Sequence, residues 1–130
     1  MENMVKVIRL SKSSISNSDI SEVVKVLKKE YLGMGDEVTK FENLLKKFFK
    51  RDVVCVANGT AALQLSLEAI GVKKNDQILV PSITFLSTFQ SVKAANGTPI
   101  PCDVEVDNMS IDLADVEKKI TSKTKAIIPV

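Results

Sequence analysis

The chain has 130 residues, of which 45% are hydrophobic and 26% are charged, and its formal net charge is +2. These values are typical of a globular domain with a packed core. They exclude a strongly basic surface for nucleic acid and a long acidic tail, and no apolar run is long enough to cross a membrane.

The lack of histidine excludes several kinds of active site. A Ser-His-Asp triad, a Cys-His pair and a histidine-ligated zinc site all need an imidazole, and we expect no metal. Acid-base chemistry is left to lysine, tyrosine, cysteine, carboxylates or a cofactor. Cys55 and Cys102 lie in apolar runs and are predicted to be buried free thiols. Because charges interrupt Met1–Leu10, we expect no signal peptide and a cytoplasmic protein.

The first fifty residues predict two helices joined by a glycine loop. Apolar residues at helical spacing predict a helix from Asp19 to Glu30, with Asp19 and Glu22 as a capping-box-like start. The segment Tyr31–Gly35 breaks the pattern with two glycines. A second apolar stripe predicts a helix over Asp36–Lys50.

The middle of the chain predicts alternating strands and helices. Val53–Ala57 is a continuous apolar run, which is typical of a strand buried on both faces. Thr60–Ile70 is predicted to be a helix that ends at Gly71. A second strand is predicted over Gln77–Val80 and stops at Pro81.

The alternation continues to the last residue. Phe85–Ala95 and Leu113–Ile120 are predicted helices. Thr98–Cys102 is predicted to be an edge strand or a short strand, because its two prolines disfavour a central position. Ala126–Val130 predicts a further strand, and we expect more sheet downstream in a longer polypeptide. Crossover units of this kind predict an α/β fold with a mainly parallel sheet and flanking helices.

The turn Asn58-Gly59-Thr60-Ala61 is the best candidate for binding chemistry. It joins a predicted strand to a helix, whose first N–H groups are unpaired and carry a partial positive charge. Gly59 allows close approach of a ligand, and Thr60 adds a hydroxyl donor. The turn therefore predicts a phosphate or anion site. The alternative is a plain helix cap by Asn58 or Thr60 with no ligand.

A second candidate follows the next predicted strand, at Pro81–Phe85. Ligands of open α/β sheets gather at the carboxyl ends of neighbouring strands. Phe85 offers a flat apolar face on which a heteroaromatic ring could stack, although an ordinary core phenylalanine is the alternative. The loop Tyr31–Gly35 could lie over a polar ligand or could simply connect two helices. The lysines are predicted to lie on solvent-exposed faces of helices.

These segments, in this order, resemble one family over nearly the whole chain. The segments that carry the resemblance are Leu10-Ser11-Lys12, Tyr31-Leu32-Gly33-Met34-Gly35, Val38, Phe41-Glu42, Asn58-Gly59-Thr60-Ala61-Ala62-Leu63, Pro81-Ser82-Ile83-Thr84-Phe85, Asp103 and Ile111-Asp112. The chain is similar to the DegT/DnrJ/EryC1/StrS aminotransferases. The resemblance implies the aspartate-aminotransferase-like fold (PLP fold type I), with pyridoxal 5′-phosphate (PLP) bound in the large domain.

The resemblance also implies an activity. Members mostly transfer an amino group from glutamate to a keto sugar of a nucleoside-diphosphate sugar, in lipopolysaccharide and glycan biosynthesis, as homodimers. Cofactor-binding positions match Gly59, Thr60, Ala61 and Phe85, with Phe85 stacked on the pyridine ring. Substrate-binding positions match Tyr31, Leu32, Gly33, Met34 and Asn58, and many relatives have serine at the last of these. No partnership with nucleic acid or membrane is expected.

The resemblance further implies that essential parts lie beyond Val130. These are the lysine that forms the Schiff base, the acidic partner of the pyridine nitrogen and the small C-terminal domain. We therefore assign no catalytic residue and expect the 130-residue chain alone to be inactive. Residues 1–52 are expected to form a helical segment that lines the substrate site, and residues 53–130 the first part of the PLP-binding domain.

Two other functions stay open at this point. Some relatives use the same fold and PLP, or its amine form PMP, for sugar dehydration or deoxygenation, with histidine in place of the lysine. A non-enzymatic α/β module that binds a phosphorylated ligand or a partner protein is the third reading. Bound PLP colours a protein, so a visible absorbance scan separates this module from the two enzymes.

Overall fold

The computed structural model describes residues 11–130. The expectation that Met1–Leu10 is no signal peptide concerns residues outside this range. The chain divides into two compact units, one reaching to Cys55 and the other formed by Val56–Val130. Each unit has its own secondary structure and is described in turn.

The first unit contains two helices, α1 (Asn17–Lys28) and α2 (Asp36–Phe49). The capping box of α1 lies one turn earlier than the sequence suggested. Ser16 is the N-cap: its hydroxyl accepts from the N–H of Asp19, and the carboxylate of Asp19 accepts from the N–H of Ser16 at 2.7 Å. The predicted Asp19/Glu22 start was wrong because Asp19 is the third residue of the helix and not its cap.

The predicted strand at Val53–Ala57 was wrong, since the structure assigns no strand to these residues. The N–H of Cys55 donates to a carboxylate oxygen of Glu42 at 2.7 Å, and no strand of the described residues pairs with the segment. An apolar run predicts burial, but a strand also needs a backbone partner. Cys55 is only partly buried, so its predicted full burial was also wrong, whereas Cys102 is a buried free thiol as expected.

The second unit is α/β, which confirms the predicted fold class. Its elements are α3 (Gly59–Ala69), β1 (Gln77–Pro81), α4 (Ser87–Ala94), β2 (Thr98–Cys102), α5 (Leu113–Lys119) and β3 (Thr124–Ile127). The three strands of the described residues are parallel and run in the order β2-β1-β3. The edge position predicted for β2 is therefore confirmed.

The central strand β1 supplies both faces of the core. Ile78 and Val80 point to the face covered by α3 and α4, whereas Leu79 points to the face covered by α5. On the first face they pack with Leu67, Val72, Val92 and Ala95, and on the second Leu79 packs with Cys102, Ile111 and Val116. Helices thus lie on both sides of the sheet, as a parallel sheet requires.

Turn residues explain where the elements stop. Gly71, at φ +74°, follows α3, and the N–H of Val72 donates to the carbonyl of Leu67, a glycine-dependent helix end that the sequence predicted. Strand β3 begins at Thr124, before the predicted Ala126, because Thr124 pairs with Gln77 in the ladder. Polar residues at the start of a strand pair as well as apolar ones, and the apolar pattern misses them.

In β2, the two prolines occupy the positions whose backbone groups point away from β1. The N–H of Thr98 donates to the carbonyl of Asp76 at 2.8 Å, so alternate residues Thr98, Ile100 and Cys102 face β1. Pro99 and Pro101 occupy the positions between them. The side of β2 that faces away from β1 consequently offers no N–H group at these two positions.

Candidate functional site

The first part of the site is the N-terminus of α3, where Asn58 is the N-cap. Its backbone is extended (φ −165°, ψ 170°), and its side-chain oxygen Oδ1 accepts from the N–H of Ala61 at 2.9 Å. Asparagine suits this position because its short side chain reaches back to the first turn of the helix. The capping role considered for Asn58 is therefore present, and Thr60 is not the cap.

The N–H groups of Gly59 and Thr60, at the start of α3, have no partner within the helix, as is general for the first turn. The exposed Gly59 offers the clearest approach, because a methyl group added there would meet nothing within 4 Å. Thr60 follows, partly buried, and brings its hydroxyl to the same turn. The N–H of Ala61 is the one already engaged by Asn58. The residues present fit a phosphate group at this turn, which needs open space and N–H donors.

The second part of the site is Phe85, whose residue surface is 79% exposed. The alternative of an ordinary core phenylalanine was therefore wrong. Two contacts fix the turn that carries the ring: Thr84 Oγ1 lies 2.8 Å from Thr88 Oγ1, and the N–H of Thr88 donates to the carbonyl of Phe85 at 3.0 Å. Thr88 itself is buried. The ring thus stands in the open on a turn with a buried anchor.

The topology directs both parts toward the same end of the sheet. Helix α3 leads into β1 through a short connection, α4 leaves β1, and the two helices share one core through Leu67 and Val92. Both helix N-termini therefore face the carboxyl end of β1, where ligands of open α/β sheets bind. The N–H of Ser82 donates to the carbonyl of Cys102 at 2.8 Å, which ties the loop after β1 to the end of β2.

The glycine loop of the first unit borders a cavity of about 360 Å³. Its walls include Tyr31, Leu32 and Gly33, which are three of the predicted substrate-binding residues. Met34 is exposed and does not belong to this lining. The fifth predicted substrate residue, Asn58, belongs to the second unit.

Sequence reasoning missed a polar cluster at the carboxyl end of β2. Lys119 Nζ donates to Asp115 Oδ2 and to the carbonyl of Pro101, both at 2.7 Å, and Asp115 Oδ2 also accepts from the N–H of Asp103 at 2.7 Å. The hydrogen bond from Lys119 lowers the pKa of Asp115, and the same bond raises the pKa of Lys119. The four-residue spacing of Asp115 and Lys119 on α5 was the available signal.

The lysines of residues 11–130 offer no group suited to imine chemistry. Those in residues 11–130 are exposed, apart from the partly buried Lys119, whose pKa is raised and not lowered. The described residues contain no group of three or more histidine, cysteine or acidic side chains arranged to hold a metal ion. Among the helices of residues 11–130, none combines the length and the apolar character needed to span a membrane.

The chain is similar to known proteins in both sequence and structure. The chain is 38% identical over 98 residues to GDP-perosamine synthase of Escherichia coli O157:H7, covering 72% of this chain and 26% of that protein. It is 32% identical to the UDP-4-amino-4-deoxy-L-arabinose–oxoglutarate aminotransferase of Shewanella sediminis, covering 93% of this chain and 31% of the relative. The structure of Spr1654 from Streptococcus pneumoniae, in its PMP form, superposes with a TM-score of 0.83 at 31% identity.

That superposition covers 94% of this chain and 31% of Spr1654, so the chain spans less than a third of the length of each of these three proteins. The family match itself extends over most of the sequence. The sequence model of the DegT/DnrJ/EryC1/StrS aminotransferase family matches residues 13–130. The chain belongs to this family.

Proposed function

We propose that the protein serves PLP-dependent transfer of an amino group from glutamate to the keto sugar of a nucleoside-diphosphate sugar. The observation that carries the proposal is the pairing of an open helix N-terminus with an exposed aromatic ring, both directed to the carboxyl end of β1. Two relatives are named for nucleotide-linked amino sugars, which supports the same class of substrate.

Four residues are proposed to hold the cofactor. The backbone N–H groups of Gly59 and Thr60, with the Thr60 hydroxyl, bind the phosphate at the positive end of α3. Ala61, whose N–H already donates to Asn58 Oδ1, is proposed as the third cofactor-binding residue of this turn. The ring of Phe85 stacks on the pyridine ring and keeps water from that face. When bound, PLP supplies the electron sink of the reaction, and the protein orients it.

Substrate-binding roles are proposed for each unit by itself. In the first unit, the residues proposed to contact the nucleotide sugar are Tyr31, Leu32, Gly33 and Met34. In the second unit, Asn58 is proposed as a substrate-binding residue. Residues 1–52 are proposed as a substrate-lining segment, and residues 53–130 as the first part of the PLP-binding domain. We further propose a cytoplasmic homodimer that serves lipopolysaccharide or glycan synthesis.

The test is a transamination assay on the native gene product at its natural length. Purified protein is incubated with PLP, glutamate and nucleoside-diphosphate keto sugars, and 2-oxoglutarate and the sugar product are measured by mass spectrometry. We expect 2-oxoglutarate to form in equal amount with an amino sugar. A deoxy sugar without net transfer of nitrogen would show dehydration instead, and a colourless protein without either product would contradict the proposal.

A further inference from the structure

Gly35 lies in close contact with the ring of Tyr31. A Cβ atom added to Gly35 would lie 2.9 Å from Cδ1 of that ring, closer than Cβ atoms approach other groups, and 3.2 Å from Cε1, which is a tight contact. The backbone of Gly35 is extended (φ −109°, ψ −168°), a conformation open to any residue. The present position of the tyrosine ring, and not the backbone, thus leaves no room for a side chain at Gly35, so a Cβ atom there would displace the ring.

Gly33 provides the contrast within the same loop. A Cβ atom added to Gly33 would meet nothing within 4 Å. Both glycines and Tyr31 line the cavity beside α2, and the residue surface of Tyr31 is 64% exposed. One side of the tyrosine ring therefore rests against Gly35, while much of the residue remains available to a ligand.

The charges around this cavity disfavour a phosphate group. Asp36 and Glu37 line it together with a single cation, Lys29. The Nζ atom of Lys29 lies 3.1 Å from Glu37, which also receives a hydrogen bond from Lys40 at 3.0 Å. The hydrogen bond from Lys40 is the largest cause that lowers the pKa of Glu37, and the bond from Lys29 is the next. The carboxylate of Glu37 therefore stays ionised. An uncharged, flat group suits this cavity better than a diphosphate.

We propose that Gly35 is a positioning residue, which holds the ring of Tyr31 as a stacking surface for the base of the nucleoside-diphosphate sugar. The inference rests on the proposed function, because that function supplies a ligand with a base. Aromatic side chains stack on every nucleobase, since each base has a planar π face. The diphosphate then lies outside the cavity, away from Asp36 and Glu37.

The test follows the ring of Tyr31, the one tyrosine of these 130 residues. Fluorotyrosine is incorporated during expression, and the fluorine NMR signal that Tyr31→Leu removes is assigned to Tyr31. Wild type, Gly35→Ala and the control Asn43→Ala, at an exposed position of α2 outside the cavity lining, are each titrated with UDP, GDP, dTDP and inorganic pyrophosphate. We expect a nucleotide to shift the signal of the wild type and of Asn43→Ala alike, and pyrophosphate to leave it unchanged.

For Gly35→Ala we expect a displaced signal in the free protein. We also expect nucleotide affinity about five-fold weaker or more, as loss of a stacking contact of roughly 1 kcal/mol implies. Tyr31→Leu keeps Gly35 and removes the ring, so calorimetry should find the same loss, with no further loss in Tyr31→Leu/Gly35→Ala. This second route holds even if Gly35→Ala folds poorly.

Three results would overturn the inference: a shift produced by pyrophosphate, wild-type affinity in Gly35→Ala, or no response to any nucleotide. The transamination assay distinguishes a failure of this inference from a failure of the proposed function. Turnover together with wild-type affinity in Gly35→Ala defeats only the positioning role. Absence of turnover together with a nucleotide-dependent shift defeats only the proposed reaction.

Discussion

The ammonium group of Lys119 joins α5 to the end of β2, because its Nζ atom lies 2.7 Å from both Asp115 Oδ2 and the carbonyl oxygen of Pro101. Asp115 in turn accepts from the N–H of Asp103, just after β2. The pair therefore fixes the end of β2. The N–H of Ser82, which begins the loop leading to Phe85, donates to the carbonyl of Cys102 at this same strand end.

The pair gives folding stability a defined dependence on pH. The pKa of Asp115 is lowered, so its contribution is present above the ordinary carboxyl pKa and is lost as pH falls through the lowered value. The pKa of Lys119 is raised, so its contribution is present below the ordinary lysine pKa and is lost as pH rises through the raised value.

We expect Asp115→Asn to lower the urea midpoint of unfolding near neutral pH. The difference in urea midpoint between Asp115→Asn and the wild type should shrink below about pH 4, where an ordinary carboxyl group titrates. The difference between Lys119→Met and the wild type should shrink above about pH 10, where an ordinary lysine titrates. Lys74→Met, at an exposed position that makes no contact with the pair, is the control and should change little. A difference for Asp115→Asn that persists unchanged into acid would contradict the assignment.

Thr60→Val tests the phosphate contact at α3. The variant keeps the shape of the side chain and removes the hydroxyl, so we expect PLP binding to weaken by about 1–2 kcal/mol, as for a hydrogen bond to a charged group. The dissociation constant is measured by calorimetry for PLP and for pyridoxal, which lacks the phosphate. The mutation should leave pyridoxal binding unchanged, and an equal effect on both ligands would place the phosphate elsewhere.

Phe85→Ala separates a binding role from a packing role. Because Phe85 is largely exposed, we expect its removal to change the free energy of unfolding by no more than about 0.5 kcal/mol. PLP affinity should fall, and Phe85→Tyr should restore it. Phe89→Ala is the matched control, since Phe89 packs against the core cluster that contains Leu67 and Val92 and its loss should destabilise the fold. Unaltered PLP affinity in folded Phe85→Ala would remove the stacking role.

The two thiols should react at different rates. Cys102 is 1% exposed, and burial is the main cause that raises the pKa of its thiol, so little of it is present as thiolate. Cys55 is partly exposed. We expect a thiol-specific reagent such as DTNB to modify Cys55 at least about ten-fold faster in the folded protein. Cys55→Ser should abolish the fast phase, and a fast phase that survives in this variant would mean that Cys102 is accessible.

Residues 1–130 alone should not carry out transamination. The described lysines are exposed or, at Lys119, held protonated by Asp115, and imine formation needs a neutral amine beside the cofactor. We expect PLP followed by borohydride to label several lysines weakly and none stoichiometrically, as read by peptide mass spectrometry. Measurable glutamate-dependent turnover with one fully labelled lysine would prove this prediction wrong.

The sequence predicted most elements of the fold because their signals are local. Helical periodicity located α2, and Gly71 marked the end of α3. Val53–Ala57 failed because strand pairing is decided by a partner elsewhere, which the apolar pattern of one segment does not contain. The exposure of Phe85 could not be predicted from local pattern either, since a phenylalanine beside a strand end is apolar whether or not it is covered.

The candidate site shows the same division. The helix start at Asn58–Ala61 was visible because capping residues and glycine act within one turn. The contact of Gly35 with Tyr31 was not, because spacing alone does not show which way a ring points. The link from Lys119 to Pro101 spans 18 residues and depends on how α5 packs beside β2, so it needed the tertiary structure.

The prolines on the outer side of β2 decide how this sheet can grow. A further strand placed there finds no N–H donor at Pro99 or Pro101. A fibre needs two pairing edges on every subunit, so that each copy extends the next. A sheet that lacks donors along one edge cannot pass strand pairing on through that edge, so copies of this unit do not join into a fibre through β2.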